Sequence, residues 1–204
     1  MITIIDYGVG NIRAFANIYK QLNIPIKFAR KADDLEGTSK LILPGVGAFD
    51  YAMERLENSG MRDQLDKLVL VNEIPVLGIC VGMQMLANGS DEGRKSGLGW
   101  IDAFVKKFEE KQIQYATRLP HMGWNNIQLI RQNKLLADLP DEAKFYFLHS
   151  YYFECFQQDY VVATTQYGID FSCAVNKNNI YGVQFHPEKS HQNGIQLLLN
   201  FANL

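Results

Sequence analysis

The sequence predicts one α/β domain, a mostly parallel central sheet flanked by helices, with a strand-rich C-terminal half. Three observations carry this. In the first 90 or so residues, short apolar runs alternate with stretches of helical apolar spacing, the pattern of a parallel sheet covered on both faces. After Ser90 the texture changes to short strand-like runs separated by turn residues, a hairpin pattern. The length, 204 residues with 47 % hydrophobic and 21 % charged, suits one domain with a sizeable core, so residues 1–204 are read as a single domain.

The elements follow in order. Met1 to Ile5 reads as a buried strand. Asp6-Tyr-Gly-Val-Gly-Asn11 is a glycine-rich turn, with Asn11 suited to cap the next helix. Ile12, Phe15, Ala16 and Tyr19 fall on one face of that helix. The turn lacks both Gly-x-Gly-x-x-Gly and the Gly-Lys-Ser/Thr of a phosphate loop, which argues against a nucleotide site. Pro25 to Ala29 and Lys40 to Leu43 are further strands, with a polar turn from Asp33 to Ser39 between them. Pro44-Gly-Val-Gly-Ala-Phe49 follows, a loop whose peptides can reorient and whose N–H groups can face a ligand. Phe49, Ala52, Met53 and Leu56 mark one helix, and Met61, Leu65, Leu68 and Val69 another.

The second half carries strand-like runs at Ala103 to Phe108, Asn126 to Ile130, Lys144 to Glu154, Tyr160 to Thr165, Phe171 to Val175 and Ile180 to Phe185. A last helix starts near Ser190, with Ile195, Leu198, Leu199 and Ala202 on one face. No internal repeat, low-complexity tract or interdomain linker interrupts the chain.

Composition excludes several classes. A net charge of -2 gives no electrostatic footprint for nucleic acid or an anionic membrane. No apolar run approaches the ~18 residues needed to span a bilayer, and the chain opens on strand-like residues rather than a signal peptide. The three cysteines, Cys80, Cys155 and Cys173, are widely spaced without Cys-x-x-Cys. A disulfide scaffold or metal site is not expected, and a reducing cytoplasm fits.

The chain is organised around Pro75-Val-Leu-Gly-Ile-Cys-Val-Gly-Met-Gln84. An apolar strand delivers Cys80 between Gly78 and Gly82, and Met83, Leu86 and Ala87 continue at helical spacing. Gly-x-Cys-x-Gly is the cysteine form of the nucleophile elbow, a turn so sharp that it needs small neighbours. A helix N-terminus beside the sulfur would favour thiolate. An isolated cysteine here reads equally as a small buried hydrophobe, so a partner decides. Of the four histidines, His186 ends the apolar run from Ile180 and is followed by Pro187 and Glu188. If that turn folds back, Glu188 holds one ring nitrogen while the other faces the thiol, the logic of nucleophile, base and orienter.

Gly78-Ile-Cys80-Val-Gly82-Met-Gln84 with Gly182-Val-Gln-Phe-His186-Pro-Glu188 resembles the class I, triad-type glutamine amidotransferases, whose fold is flavodoxin-like. Four further stretches resemble the branch that serves imidazole glycerol phosphate synthase: Asp6 to Asn11, Pro44 to Phe49, Pro120-His-Met-Gly-Trp-Asn125 and Phe145-Tyr-Phe-Leu-His-Ser-Tyr151. Lys189 also fits that branch. The resemblance implies that Cys80 forms a γ-glutamyl thioester, His186 shuttles the proton and Glu188 orients it. It implies oxyanion donors from Val81 and from the loop at Val46 and Gly47, after a peptide flip. Gln84, Glu92 and the backbone at Ser150 and Tyr151 would hold L-glutamine, with no cofactor. Nothing in the chain is equipped to use ammonia, so the resemblance implies a (β/α)₈-barrel cyclase partner in a heterodimer of histidine biosynthesis. Asn11, Trp124, Tyr146 and Lys189 would dock it. The alternative is a paralogous subunit feeding amidination of a surface sugar, to which Arg13 to Phe15 and Phe153 to Cys155 are less foreign. His121, His149 and His191 read as structural, and Cys155 and Cys173 as packed thiols.

Overall fold

The computed structural model describes residues 1–115 and 118–204. The first half contains β1 (Ile2–Ile5), α1 (Ile12–Gln21), β2 (Ile26–Ala29), β3 (Lys40–Gly45) and α2 (Phe49–Asn58). It continues with α3 (Arg62–Asp66), β4 (Val76–Cys80) and α4 (Val81–Gln84). The second half opens with β5 (Ala103–Lys107), β6 (His121–Asn126), β7 (Gln128–Leu129), β8 (Lys144–His149) and β9 (Tyr151–Cys155). It closes with β10 (Val161–Tyr167), β11 (Ile169–Lys177), β12 (Ile180–Val183) and α5 (His191–Ala202).

The main sheet runs β2-β1-β3-β4-β12-β11-β10-β7. Pairings from β2 to β12 are parallel, and those beyond β12 are antiparallel. β9 joins the side of β11 and pairs with β5, while β6 and β8 form a separate antiparallel ribbon. The mixed sheet thus changes character at β12, a strand of the hairpin-like second half that nevertheless pairs in parallel with β4. β4 is buried along its whole length, which accounts for its unbroken apolar run. Because β4 lies between β3 and β12 in parallel register, all three carboxyl ends emerge on one edge. That edge therefore gathers the Pro44 loop, Cys80 and the approach to His186.

Several elements differ from the sequence reading. α4 is a single turn of four residues, because Leu86 and Ala87 continue in tighter bonds to Met83 and Gln84. A macrodipole needs several aligned turns, so the helix contributes little field at Cys80. Asn11 occupies the N-cap position of α1 but makes no side-chain capping bond. The helix predicted from Met61 to Val69 is α3 followed by a wider π turn, Lys67–Val71. The run from Lys144 breaks at Ser150 into β8 and β9, which pair in different sheets. The strand near Asn126 shrinks to the two residues of β7, and His121–Asn126, which the sequence reading did not count among the strands, forms β6. In α5 the buried face is Gly194, Leu197, Leu198 and Phe201, whereas Ile195, Leu199 and Ala202 are only partly covered. Gly194 sets that face: a Cβ there would sit 1.8 Å from the Pro187 carbonyl oxygen, so the helix packs tightly under the His186 turn.

Candidate active site

The elbow is built by backbone contact. Cys80 has φ +55° and ψ -115°, a conformation that side chains rarely adopt. A Cβ on Gly82 would lie 1.9 Å from the Leu43 carbonyl oxygen, one on Gly45 2.4 Å from the Gly82 nitrogen, and one on Gly78 2.7 Å from the Gly82 oxygen. Gly82 and Gly45 thus let the end of β3 press directly on the turn, with Gly45 opposite Cys80, and Gly78 lets the turn fold back on β4. Gly47 differs: its Cβ would meet open space, and φ +85° is what demands glycine. The Asp6–Asn11 loop supports the same strand end. Tyr7 donates to the Pro44 carbonyl at 2.6 Å, and Gly10 packs against Pro44, where a Cβ would fall 2.8 Å from the ring. This glycine-rich turn braces Pro44.

A cavity of about 280 Å³ opens at this edge. Val46, Gly47, Cys80, Val81 and His186 line one part of it. Gln84, Glu92, Ser150, Tyr151 and Lys189 line the rest, together with His149 and Leu148. Of the residues assigned to catalysis, oxyanion and substrate, only Glu188 is not in the wall, and it stands directly behind His186.

His186 Nδ1 and Glu188 Oε1 are 2.9 Å apart, both side chains almost wholly buried. Cys80 and His186 line the same cavity, close enough for the sulfur to act on the imidazole's proton; Cys80 Sγ lies 3.9 Å from the Leu148 carbonyl oxygen. Burial pulls the imidazole down, but the neighbouring Cys80 and then Glu188 prevail, raising it to about 10. His186 thus holds a proton readily, as the base beside a thiol nucleophile must. Glu188 Oε2 is buried with no hydrogen-bond partner among the described residues, so the imidazolium is this carboxylate's main compensation. The main chain of His186 is bracketed too. Its N–H donates to the Tyr146 carbonyl at 2.8 Å, and its carbonyl accepts from Ser190 Oγ at 2.6 Å. Ser190 in turn accepts from the Tyr146 N–H at 3.0 Å.

A sign follows for pH. The folded value of His186 lies above its ordinary 6.5, so folding takes up a proton between about 6.5 and about 10. The stability this contributes is complete below about 6.5 and lost as pH rises through about 10. Replacing Cys80 by alanine removes the leading upward cause. The His186 ring, followed by NMR pH titration, is expected to titrate lower in that variant; an unchanged value would contradict the coupling.

The substrate side is more committed than its sequence suggests. Gln84 is buried, and its amide nitrogen donates to the Tyr151 carbonyl and to Gln184 Oε1, each at 3.1 Å. Both donor hydrogens are thus used, and only its oxygen is left for a ligand. Gln184 Nε2 points at Cys80 Sγ from 3.9 Å. Glu92 Oε2 accepts from the Phe49 N–H at 2.8 Å, the start of α2. Asp50 reciprocates by accepting from the Arg94 and Lys95 N–H groups. This double clasp fixes the Glu92 loop against α2, and Gly93 has no room for a Cβ beside Asp50. Burial first, then Asp50, raises the Glu92 carboxyl against the opposing pull of the Phe49 bond. A ligand ammonium would offset that cost. The carbonyls of Ser150 and Tyr151 already accept bonds, from Phe108 and from Gln84 and His149.

Beside the cavity mouth, Trp124 is 46 % exposed and stacks on His191, 5.1 Å between centroids. Tyr146 meets Trp124 edge-on, and Lys189 Nζ lies 5.6 Å from the centre of the Tyr146 ring. Tyr146, Trp124 and Lys189 thus meet at the Pro187–Lys189 turn, and exposed Asn11 stands at the N-cap position of α1, a helix that packs against the same turn. Tyr7, Gln184 and Ser190 are site-supporting residues that sequence reasoning did not assign to the site, and His121 and His149, read as structural, pair beside it. The only available signal was polar residues inside otherwise apolar runs. Among the described residues no cluster of histidine, cysteine and carboxylate side chains could hold a metal, and no helix is long and apolar enough to cross a membrane.

Comparison with known proteins agrees with this geometry. Residues 3–203 match the family model "Glutamine amidotransferase class-I". The chain is 56 % identical over 204 residues to the "Imidazole glycerol phosphate synthase subunit HisH" of Bdellovibrio bacteriovorus and 54 % identical to that of Leptospira interrogans, with 100 % of each chain covered. A solved glutamine amidotransferase superposes with a TM-score of 0.76 at 20 % identity, over 100 % of this chain and 99 % of that one, a likeness of fold. The chain belongs to the class-I glutamine amidotransferase family.

Proposed function

We propose that the chain is the glutaminase subunit of an imidazole glycerol phosphate synthase, hydrolysing L-glutamine to glutamate and ammonia for histidine biosynthesis. The observation that carries the reading is Cys80, on a strained elbow, sharing one cavity with a His186 that Glu188 holds from behind at 2.9 Å. Relatives that are more than half identical end to end bear the synthase subunit's name.

Cys80 attacks the side-chain carbonyl of glutamine, and His186 holds the thiol proton and returns it to the leaving ammonia. Such acid–base help is worth about 10²–10⁴-fold. Glu188 keeps the imidazole aimed. The oxyanion is received by the Val81 N–H and by a peptide at Val46 or Gly47, where glycine's freedom at φ +85° allows reorientation. The thioester then yields to water, with His186 as base. Glu92 receives the substrate's α-ammonium, Gln84 offers its oxygen, and the Ser150–Tyr151 backbone completes the cradle.

The ammonia passes to a (β/α)₈-barrel cyclase docked on the face of Asn11, Trp124, Tyr146 and Lys189. The exposed Trp124–His191 stack beside the cavity mouth supports that surface. We read residues 1–204 as one amidotransferase domain working in the cytoplasm, consistent with the match over residues 3–203. The pathway is tested by growth. The gene, with its matched cyclase, should rescue a histidine auxotroph lacking this subunit. Persistent auxotrophy, with stimulated amidination of a sugar nucleotide derivative, would reassign the acceptor and leave the glutaminase standing.

A further inference from the structure

Two buried histidines that this mechanism does not use meet at the glutamine cavity, His149 in its wall and His121 against His149. His121 on β6 and His149 on β8 stand opposite each other in the ribbon. His121 Nδ1 is 3.0 Å from His149 Nε2, and His149 Nδ1 is 2.8 Å from the Tyr151 carbonyl oxygen. The partners at both ends fix the direction of these bonds. A carbonyl only accepts, so His149 Nδ1 carries the hydrogen; in a neutral ring Nε2 is then an acceptor. His121 Nδ1 must donate to it, which leaves His121 Nε2 as an acceptor. The far end requires the same. Asn125 Oδ1 accepts from the Asn126 N–H at 2.9 Å, and its Nδ2 donates to the Gln166 carbonyl at 2.8 Å. That orientation turns Nδ2 toward His121 Nε2, 3.4 Å away.

The pair is kept neutral by its surroundings. Phe147 and Tyr167 stack on His121, and Phe108, Phe147 and Phe171 surround His149. Burial lowers His121 to about 4. Burial, then His121 and at longer range His186, lower His149 to about 3 against the pull of the Tyr151 bond. The chain of bonds continues into the site, because the Tyr151 carbonyl also receives Gln84, whose second hydrogen goes to Gln184 beside Cys80.

We propose that His121 and His149 are positioning residues for the glutamine site: two neutral imidazoles, both in the Nδ1–H form, that hold the Tyr151 carbonyl as an acceptor and thereby fix Gln84 with its amide oxygen toward the substrate. The relay also ties the cradle to β6, the strand that carries Trp124. What the cradle binds rests on the glutaminase reading; the wiring does not.

Two measurements test it. In the full chain labelled with ¹⁵N-histidine, two of the four imidazoles should show the neutral Nδ1–H pattern from about pH 5 to about pH 8, and should be lost one each in His121→Phe and His149→Asn. Nε2–H tautomers, or protonation of either ring in that range, would overturn the proposal. In glutaminase assays with the cyclase partner present, His121→Phe keeps a ring but removes the donor. Its KM for glutamine should rise about 10-fold with kcat within about 3-fold. His121→Asn keeps a donor where Nδ1 stood and should bring KM back to within about 3-fold of the parent. An unchanged KM in His121→Phe, or an equal loss in a folded His121→Asn, would overturn it. A parental chain without glutaminase activity would refute the function instead, and the tautomer readout would still decide the wiring.

Discussion

Replacing Cys80 with alanine removes glutamine hydrolysis by about 10⁴-fold or more while the chain stays folded. The size follows from the role: the sulfur makes the bond on which every later step depends, and no neighbouring group can substitute. Cys155 and Cys173 are buried, and the Cys173 thiol is pushed far up by burial, so neither offers a reactive thiolate. The fold survives because the elbow is shaped by glycine contacts around Cys80 rather than by its side chain. The strain at φ +55° adds a second expectation. Cys80→Gly should be more stable than Cys80→Ala by about 1 kcal/mol, since glycine alone adopts that backbone freely. Ammonia release in the presence of partner measures the first effect and urea denaturation the second. Parental turnover in a folded Cys80→Ala chain would contradict the assignment.

Gly82→Ala is the substitution expected to damage the fold most. Its Cβ would stand 1.9 Å from the Leu43 carbonyl oxygen, which belongs to the backbone of β3 and cannot rotate away. Either β3 or the elbow must move, at a cost of about 3 kcal/mol or more, and hydrolysis is lost with the elbow. Gly60→Ala is the control. It also has positive φ but open space around its Cβ, so it should cost about 1 kcal/mol and leave turnover intact. Equal stability of the two variants in urea would show that the elbow is not held by backbone contact.

These contrasts indicate what the sequence made legible. Cys80, His186 and Glu188 stand out because the chemistry demands particular residue types at turns, and flanking glycine and proline mark the turns. The parallel half of the sheet is equally legible, since strands buried on both faces leave unbroken apolar runs such as Val76–Cys80. Contacts between distant segments leave no such trace. Gly45 and Gly82 are each ordinary glycines until β3 is laid beside the elbow. The length of α4 escaped because Met83 in the one-turn helix and Leu86 and Ala87 in the tighter turn after it are buried as fully as they would be on one long helix. The face of α5 was misjudged because apolar residues surround much of that helix, and the close approach at Gly194 chooses among them. His121 and His149 passed as structural because their meaning lies in a cross-strand pairing and in the direction of bonds fixed at either end.

The central claim is that Cys80 alone carries the glutamyl group. It is tested most directly by treating the chain, with its cyclase partner, with a diazoketone analogue of glutamine and mapping the adduct by peptide mass spectrometry. The account predicts a single stoichiometric label on Cys80, prevented by excess glutamine and slowed in Glu188→Gln. A label on Cys155 or Cys173, or full loss of activity with Cys80 unmodified, would contradict it.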